Sequence, residues 1–296
     1  MHKAIAAAVK AQIEGLLERP LAPGLHVVAT PIGNLADVTL RAIATLAACD
    51  IIYCEDTRHS RLLLDRYAIK AARRAYHEHN AEGARPEIIA GLAAGQRIGL
   101  ISDAGTPAIS DPGYKLIRAA LDAGHRVHAV PGPSALVAAL STAGLATDTF
   151  LFAGFLPVRP GPRQARLTTL QAVPATLIFY EAPGRLSETL RDIASVLGER
   201  ETAVARELTK MHEEARRGTP TALAQHFEPT PPKGEIVILV APPGIETVTD
   251  EAIRDQLRDA LADASVRDAV DLVAKACDVP RKRVYDIALA MRREER

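Results

Sequence analysis

From residue 25 onward, short apolar runs rich in β-branched residues alternate with segments of helical periodicity. In the first half of the chain we predict strands at residues 25–30, 50–56, 97–103 and 126–132. Helices are predicted at residues 37–49, 112–123 and 134–144, the last with Ser134 as N-cap. Because parallel strands require helical crossovers of this length, the alternation predicts α/β folding around a parallel sheet.

The second half of the chain continues the alternation of strands and helices to residue 242, and only helices are predicted after residue 250. Strands are predicted at 176–181, 202–210 and 234–242, a helix at 184–198, and an exposed loop at 156–166. The tail predicts a helix, a turn at 277–280 and a further helix, which is either a helix-turn-helix or a plain αα-hairpin. The predicted divisions are a leader helix at 1–24, α/β domains at 25–146 and 147–243, and a helical unit at 250–296.

The composition of the chain excludes several classes of function. The 296 residues contain 36 Lys and Arg and 36 Asp and Glu, so a uniformly basic nucleic-acid coat is excluded, although a local basic patch is not. Cys49, Cys54 and Cys277 form no C-x-x-C pair, so we expect free thiols rather than a disulfide framework or a zinc site. Lys10, Gln12 and Glu14 interrupt the apolar residues of the leader, so we expect no signal peptide. No stretch approaches 18 uninterrupted apolar residues, so we expect no membrane span and a cytoplasmic protein.

Four turns follow the first four strands, at 30–37, 54–64, 101–113 and 130–136. In open parallel sheets, ligands bind beyond the carboxyl ends of the strands, where these turns lie. Neither G-x-G-x-x-G nor G-x-x-x-x-G-K-[ST] is present, which argues against a dinucleotide-binding Rossmann domain and a P-loop NTPase. We therefore expect a neutral to zwitterionic nucleoside derivative held largely by backbone contacts.

The turn sequences carry a family resemblance. The strings ATPIGNLADVT, CEDTRHS, ISDAGTPAISDPG, GFLP, FYEAPGRL and RELTK resemble the tetrapyrrole methylase family of S-adenosylmethionine-dependent enzymes, over about residues 25–290. Within that family they are most similar to the branch that methylates the ribose 2′-OH of a cytidine in 16S rRNA. The resemblance implies two α/β domains with S-adenosyl-L-methionine in the cleft between them, a homodimer, and 16S rRNA or the small ribosomal subunit as partner.

The resemblance also implies positions for the cofactor. In the first domain, the matching positions are Pro31, Ile32, Gly33 and Asn34, then Asp103, Ala104, Gly105, Thr106 and Pro107, and then Ser134 and Ala135. In the second domain, the matching positions are Tyr180, Leu208, Gly234 and Glu235.

Methyl transfer requires mainly that the attacking oxygen is aligned with the sulfonium of the cofactor. A nearby group should also help the 2′-OH to lose its proton. The candidates are Glu55, Asp56, Arg58, Glu181, Arg206, Glu207 and Lys210. Lys210 can act as a base only where burial or Arg206 makes its ammonium easier to deprotonate. Two structural alternatives remain open: residues 55–58 as a helix start, and residues 206–210 as a charged strand edge.

Two basic stretches are candidates for contact with RNA phosphates. They are formed by Arg159, Arg163 and Arg166, and by Arg281, Lys282 and Arg283, with a solvated face as the alternative for both. Residues 76–80 contain two histidines and a glutamate but no readable third strong ligand, so we predict no metal site. Asp111 is predicted to belong to a tight turn rather than to act as a catalytic acid.

Two rival functions are compatible with parts of the sequence. A tetrapyrrole C-methyltransferase would use the same scaffold, but the EDTRHS string and the basic tail argue against it. A helix-turn-helix regulator with a ligand-sensing body would bind duplex DNA without methyl transfer, and only the tail supports it.

Overall fold

A computed structural model describes residues 1–230, 232–244, 250–277 and 279–294. The chain divides into two compact units, Met1–Pro243 and Gly244–Arg296. Among the described residues, every helix is too short or too polar to cross a membrane. Part of the interdomain segment, residues 245–249, lies outside the described residues.

The first sheet is entirely parallel, as predicted. Its strands are β1 (Gly24–Val28), β2 (Ile51–Cys54), β3 (Ala72–Ala75), β4 (Arg97–Ile101) and β5 (Val127–Val130), in the order β3-β2-β4-β1-β5. The helices of this region are α1 (His2–Leu17), α2 (Leu40–Ala48), α3 (Thr57–Arg66), α4 (Ala81–Ala93), α5 (Tyr114–Asp122) and α6 (Ala135–Ala143). The sequence pattern missed β3 because this edge strand reads ARRA and lacks an apolar run.

The second sheet is mixed. Its strands are β6 (Phe150–Phe155), β7 (Thr176–Glu181), β8 (Thr202–Arg206), β9 (Glu214–Gly218) and β10 (Ile236–Val240), in the order β6-β7-β10-β8-β9. Only the β6–β7 pair is parallel among these described strands. Its helices are α7 (Pro160–Leu170), α8 (Leu186–Leu197) and α9 (Pro220–Phe227).

Two sequence predictions in this region were wrong. Residues 160–166 belong to helix α7 rather than to an exposed loop, because proline is well suited to a first helical turn and Leu167 and Leu170 are buried on the inner face. Strand β8 ends at Arg206 instead of continuing to residue 210, because Glu207 and Thr209 adopt φ angles of 51° and 66°. Those angles are incompatible with an extended strand.

Apolar side chains hold the two sheets in one unit. Helices α2 and α3 cover one face of the first sheet, and α4 and α5 cover the other. The second sheet packs α7, α8 and α9 on one face. Its other face packs against α6, which follows the last strand of the first sheet, and against Ile32 and Leu208. The carboxyl ends of the first sheet are thereby held against the second sheet.

The C-terminal unit consists of α10 (Asp250–Asp263), α11 (Val266–Ala276) and α12 (Arg281–Glu294) around a core that includes Ile253, Val270 and Val284. Ser265 caps α11, with its hydroxyl accepting a 3.3 Å hydrogen bond from the Asp268 amide. Asp278, within the predicted turn, lies outside the described residues.

Candidate active site

The turns that follow the strands of the first sheet are hydrogen-bonded to one another. Thr30 and Gly105 exchange backbone hydrogen bonds of 2.8 and 3.1 Å. The Thr106 hydroxyl donates to the Pro133 carbonyl at 3.3 Å, which joins the third turn to the fourth. The Asp103 carboxylate accepts a 3.0 Å hydrogen bond from the Asp56 amide, which joins the third turn to the second turn. The predicted cofactor turns therefore form one connected floor.

The third turn contains two non-glycine residues in the left-handed region, Ala108 at φ 71° and Ser110 at φ 63°. Such angles are costly for residues with a Cβ and concentrate at ligand-binding sites. Across the cleft, Ser110 lies against the bulge of β6, since a Cβ on Gly154 would stand 3.2 Å from the Ser110 hydroxyl.

A cavity of about 380 Å³ opens between this floor and the second sheet, and we call it the central cavity. The predicted cofactor residues that line it are Ile32, Asp103, Ala104, Gly105, Thr106, Ser134, Ala135, Tyr180, Gly234 and Glu235. Tyr180 connects the two sides, because its hydroxyl oxygen accepts a 3.2 Å hydrogen bond from the Leu136 amide at the start of α6. The rings of Phe152 and Phe155 pack edge-on against Tyr180.

A second cavity of about 330 Å³ adjoins the first and shares Ile32, Asp103, Ala104 and Glu235 with it. Pro31, Gly33 and Lys210 line only this second cavity among the predicted residues. Lys210 lies directly over Gly33, where an added Cβ would come 2.5 Å from the Lys210 Cε atom. A side chain at position 33 would therefore displace the lysine from this cavity.

Three predicted cofactor residues line neither cavity. The Asn34 side chain accepts a 3.1 Å hydrogen bond from the Ala36 amide and shapes the first turn. Pro107 is buried within the third turn. Leu208 is buried and packs in the same cluster as Ile32.

Glu181, a predicted catalytic candidate, is a fully bonded structural carboxylate. It is 2% exposed and accepts hydrogen bonds from Arg185 at 2.8 and 2.9 Å, from the Thr189 hydroxyl at 2.6 Å and from the Ala182 amide at 2.7 Å. These donors occupy both carboxylate oxygens and tie the end of β7 to the start of α8, which assigns Glu181 a structural role.

Apart from Glu55, the other charged candidates are also paired. Asp56 caps α3 and binds the exposed Arg58 at 3.0 Å, and this partner lowers the pKa of Asp56 to about 2. Arg206 pairs with Glu214 at 2.7 Å, and Lys210 with Glu207 at 2.9 Å.

Glu55 and Asp111 differ from the other carboxylates because both line the central cavity with raised pKa values. Burial, reinforced by Asp103, raises the pKa of Glu55. Burial, with the nearby Glu55 charge, raises the pKa of Asp111 to about 6, although a hydrogen bond from Ser102 opposes the shift. The sequence interpretation assigned Asp111 only to a turn. The overlooked signal was its place beside Asp103 in one strand-terminal segment rich in glycine and proline.

The predicted RNA-binding arginines separate into different environments. Arg163 is 1% exposed and binds Asp192 at 2.5 Å, so its prediction as an RNA contact is corrected to a structural role. Arg159 and Arg166 remain exposed on the same segment. In the C-terminal unit, Arg281 pairs with Asp271 and Arg283 with Asp250, while Lys282 is exposed.

His77 and His79, from the segment considered for metal binding, pack edge-on with ring centroids 6.0 Å apart. Within the described part of the chain, no three His, Cys, Asp or Glu side chains are placed to hold a metal ion.

The parallel sheet, the second mixed sheet and the cavity between them define a class of methyltransferase fold. Residues 24–224 match the family described as Tetrapyrrole (Corrin/Porphyrin) Methylases. The chain belongs to this family and is a methyltransferase. Residues 247–292 match the RsmI C-terminal HTH domain, which supports the helix-turn-helix interpretation of the tail over a plain hairpin.

Close relatives share one name. A Ribosomal RNA small subunit methyltransferase I from Mesorhizobium japonicum is 61% identical over 76% of this chain and 77% of its own length. A protein of the same name from Synechocystis sp. is 45% identical over 90% of this chain and 98% of its own length.

Solved structures confirm the predicted α/β fold class. The cobalt precorrin-4 methyltransferase CbiF matches with a TM-score of 0.57 at 17% identity, over 73% of this chain and 94% of that one. The uroporphyrin-III C-methyl transferase from Thermus thermophilus complexed with S-adenyl homocysteine matches with a TM-score of 0.53 at 21% identity, over 73% and 97%. At these identities the likeness concerns the fold alone.

Proposed function

We propose that this chain transfers the methyl group of S-adenosyl-L-methionine to the 2′-OH of a cytidine ribose in 16S rRNA. The observation that carries the proposal is the collection of predicted cofactor residues from both sheets around one central cavity. The shared name of relatives that span most of the chain supports ribosomal RNA as the substrate.

The central cavity has the chemistry that S-adenosylmethionine requires. Ile32, Ile236 and Val237 supply apolar walls, and Asp103 and Glu235 supply carboxylates for a ligand that carries a sulfonium and an ammonium group. Gly105, with φ 78°, brings the backbone of the third turn to the cavity without a side chain.

Asp111 is our proposed base, with Glu55 as the second candidate. In the reaction, the ribose oxygen forms a bond to the methyl carbon while the carbon–sulfur bond breaks, which releases S-adenosylhomocysteine. The proton of the 2′-OH passes to the carboxylate. Asp111 suits this role because it lines the cavity and its pKa of about 6 lies close to neutral pH.

We also propose a homodimer that acts in the cytoplasm, where ribosomal subunits assemble. Strand β6 supports a self-association surface because it lies at an edge of the second sheet. Its terminal residues Phe150 and Phe155 are 46% and 57% exposed. A free strand edge with exposed aromatic side chains favours association with another chain. Sedimentation at several protein concentrations tests this proposal.

The hypothesis of a tetrapyrrole substrate is supported only by membership of the wider family. The relatives reported above are named as ribosomal RNA methyltransferases, and the matching tetrapyrrole enzymes share less than a quarter of their residues with this chain. We therefore do not propose a porphyrinoid substrate for this chain.

Labelled methyl transfer into purified small ribosomal subunits that lack the modification tests the function. After alkaline hydrolysis, label in an alkali-resistant dinucleotide demonstrates 2′-O-methylation, because the methyl group blocks cleavage at its own linkage. Label in mononucleotides would instead indicate base methylation. Absence of label with cofactor still bound would overturn the assignment of ribosomal RNA as substrate.

A further inference from the structure

A third cavity, of about 570 Å³, opens beside the central cavity and shares Glu55, Ser110 and Asp111 with it. The carboxylates of Glu55 and Asp111 therefore lie on a wall that the central and third cavities share. A molecule in the third cavity reaches the same carboxyl groups as a molecule in the central one. The volume is within the range of small-molecule sites.

Two cationic side chains that line the third cavity form no ion pair with any residue in the described part of the chain. Arg85, on α4, has a buried Nε atom that forms no hydrogen bond within the described residues. Lys115, in the first turn of α5, is exposed and forms no ion pair among the same residues. A guanidinium and an ammonium in the lining of one cavity are suited to phosphate recognition.

The rest of the lining suits the neutral part of a nucleotide. Glu78 and Glu82 provide further acceptors for hydroxyl and exocyclic amino groups, and Tyr76 and Tyr114 provide aromatic rings. The combination of unpaired cations with several carboxylates is unusual for a phosphate-only site. It matches a ligand that carries an anionic phosphate together with hydrogen-bond donors.

The second cavity is a weaker candidate for the substrate. Its lysine, Lys210, is already bound to Glu207 at 2.9 Å, and Leu35, Leu62 and Leu63 form much of its wall. A cation that is already paired contributes less to binding a phosphate.

We infer that the third cavity receives the target nucleotide of the RNA, with its phosphate at Arg85 and Lys115 and its ribose toward Glu55 and Asp111. This inference rests on the proposed function. It requires the nucleotide to be turned out of its helix or loop, as enzymes that modify single nucleotides commonly require.

The test compares Arg85→Met with a matched control, Arg118→Met. Arg118 lies on α5 one turn beyond Lys115 and forms an exposed pair with Asp122 at 2.9 Å. With small subunits as substrate, Arg85→Met is expected to raise KM about ten- to a hundredfold, the effect of losing a charged hydrogen bond. Affinity for S-adenosylhomocysteine, measured by calorimetry without RNA, is expected to stay within about twofold, and Arg118→Met is expected to behave as wild type.

A direct binding measurement uses cytidine 5′-monophosphate as the probe, with the enzyme saturated in S-adenosylhomocysteine. Deuterium exchange is expected to slow at residues 76–85 and 112–116 in the wild-type protein, and not in Arg85→Met. Inorganic phosphate alone is expected to protect less than the nucleotide.

Three results would overturn the inference in an enzyme that methylates subunits normally: an unchanged KM in Arg85→Met, no nucleotide protection at these segments, or equal protection by phosphate alone. If the wild-type enzyme transfers no methyl group to subunits, the proposed function fails instead. The two failures are therefore distinguishable.

Discussion

The Asp103 carboxylate accepts a hydrogen bond from the backbone amide of Asp56 at 3.0 Å. The two residues follow strands that lie side by side in the first sheet, β4 and β2. Asp103 also lines both the central and the second cavity. One side chain therefore positions the second turn and contributes negative charge to the proposed cofactor site.

Replacement of Asp103 tests this double role. We expect Asp103→Ala to weaken binding of S-adenosylmethionine about tenfold, because a charged hydrogen bond and the order of the second turn are lost together. Calorimetric titration measures the affinity. Asp122→Ala, which removes an exposed carboxylate on α5, is the control and should bind normally. Wild-type affinity in Asp103→Ala would contradict the assignment.

The pH dependence of methyl transfer tests Asp111. Because its pKa is about 6, we expect kcat/KM to fall about tenfold per pH unit below that value and to level off above it. In Asp111→Asn, activity should be low and this titration absent. A profile unchanged by Asp111→Asn but abolished by Glu55→Gln would transfer the role to Glu55.

The raised pKa of Asp111 also makes the stability of the fold depend on pH. Activity is expected to rise with pH, whereas the contribution of Asp111 to stability is expected to fall. Between about pH 4 and the folded pKa of about 6, the folded chain keeps a proton that the unfolded chain has released. The contribution of Asp111 to the free energy of unfolding is therefore fully present below about pH 4 and is lost as the pH rises through 6. Denaturant titrations at several pH values should show this loss in wild type and not in Asp111→Asn.

Glu181→Gln distinguishes a structural carboxylate from a catalytic one. We expect the free energy of unfolding to fall by about 3 kcal/mol, since Arg185 loses its buried partner. Enzyme that remains folded should keep the pH profile of wild type. The exposed Glu199→Gln should change stability by less than about 1 kcal/mol. Loss of the pH titration with stability unchanged would restore Glu181 as a catalytic candidate.

Arg163→Met tests the corrected role of this arginine. The side chain is 2% exposed and Asp192 depends on it, so we expect a loss of about 3–5 kcal/mol in the free energy of unfolding. The neighbouring Arg166→Met, on the exposed face of α7, should change stability by less than about 0.5 kcal/mol. If Arg163→Met were as stable as wild type but bound subunits more weakly, the RNA-contact prediction would be reinstated.

Local signals were sufficient for much of the fold and for the positions of the strand-terminal turns. The runs that form β1, β4 and β10 are apolar because these strands lie inside their sheets. The strand-terminal turns were recognisable from glycine, proline and acidic residues, and a parallel sheet brings such turns to one edge. Strands β3 and β9 escaped prediction because edge positions do not impose a continuous apolar pattern.

The roles of several charged residues depended on the tertiary structure. Arg163 pairs with Asp192, which lies 29 residues later on another helix, and the residues next to Arg163 do not indicate this pairing. Arg185 and Thr189 lie four and eight residues after Glu181, but only the folded segment directs both side chains at its carboxylate. Asp111 and Glu55 lie far apart in the chain, yet folding places both on one partly desolvated wall, where burial and neighbouring carboxylates raise their pKa values. Local sequence thus determines which segments form strands, helices and turns, because propensity and hydrophobic period act over a few residues. Burial and charge pairing act through space, so only the tertiary structure separates the structural ion pairs from the groups available for chemistry.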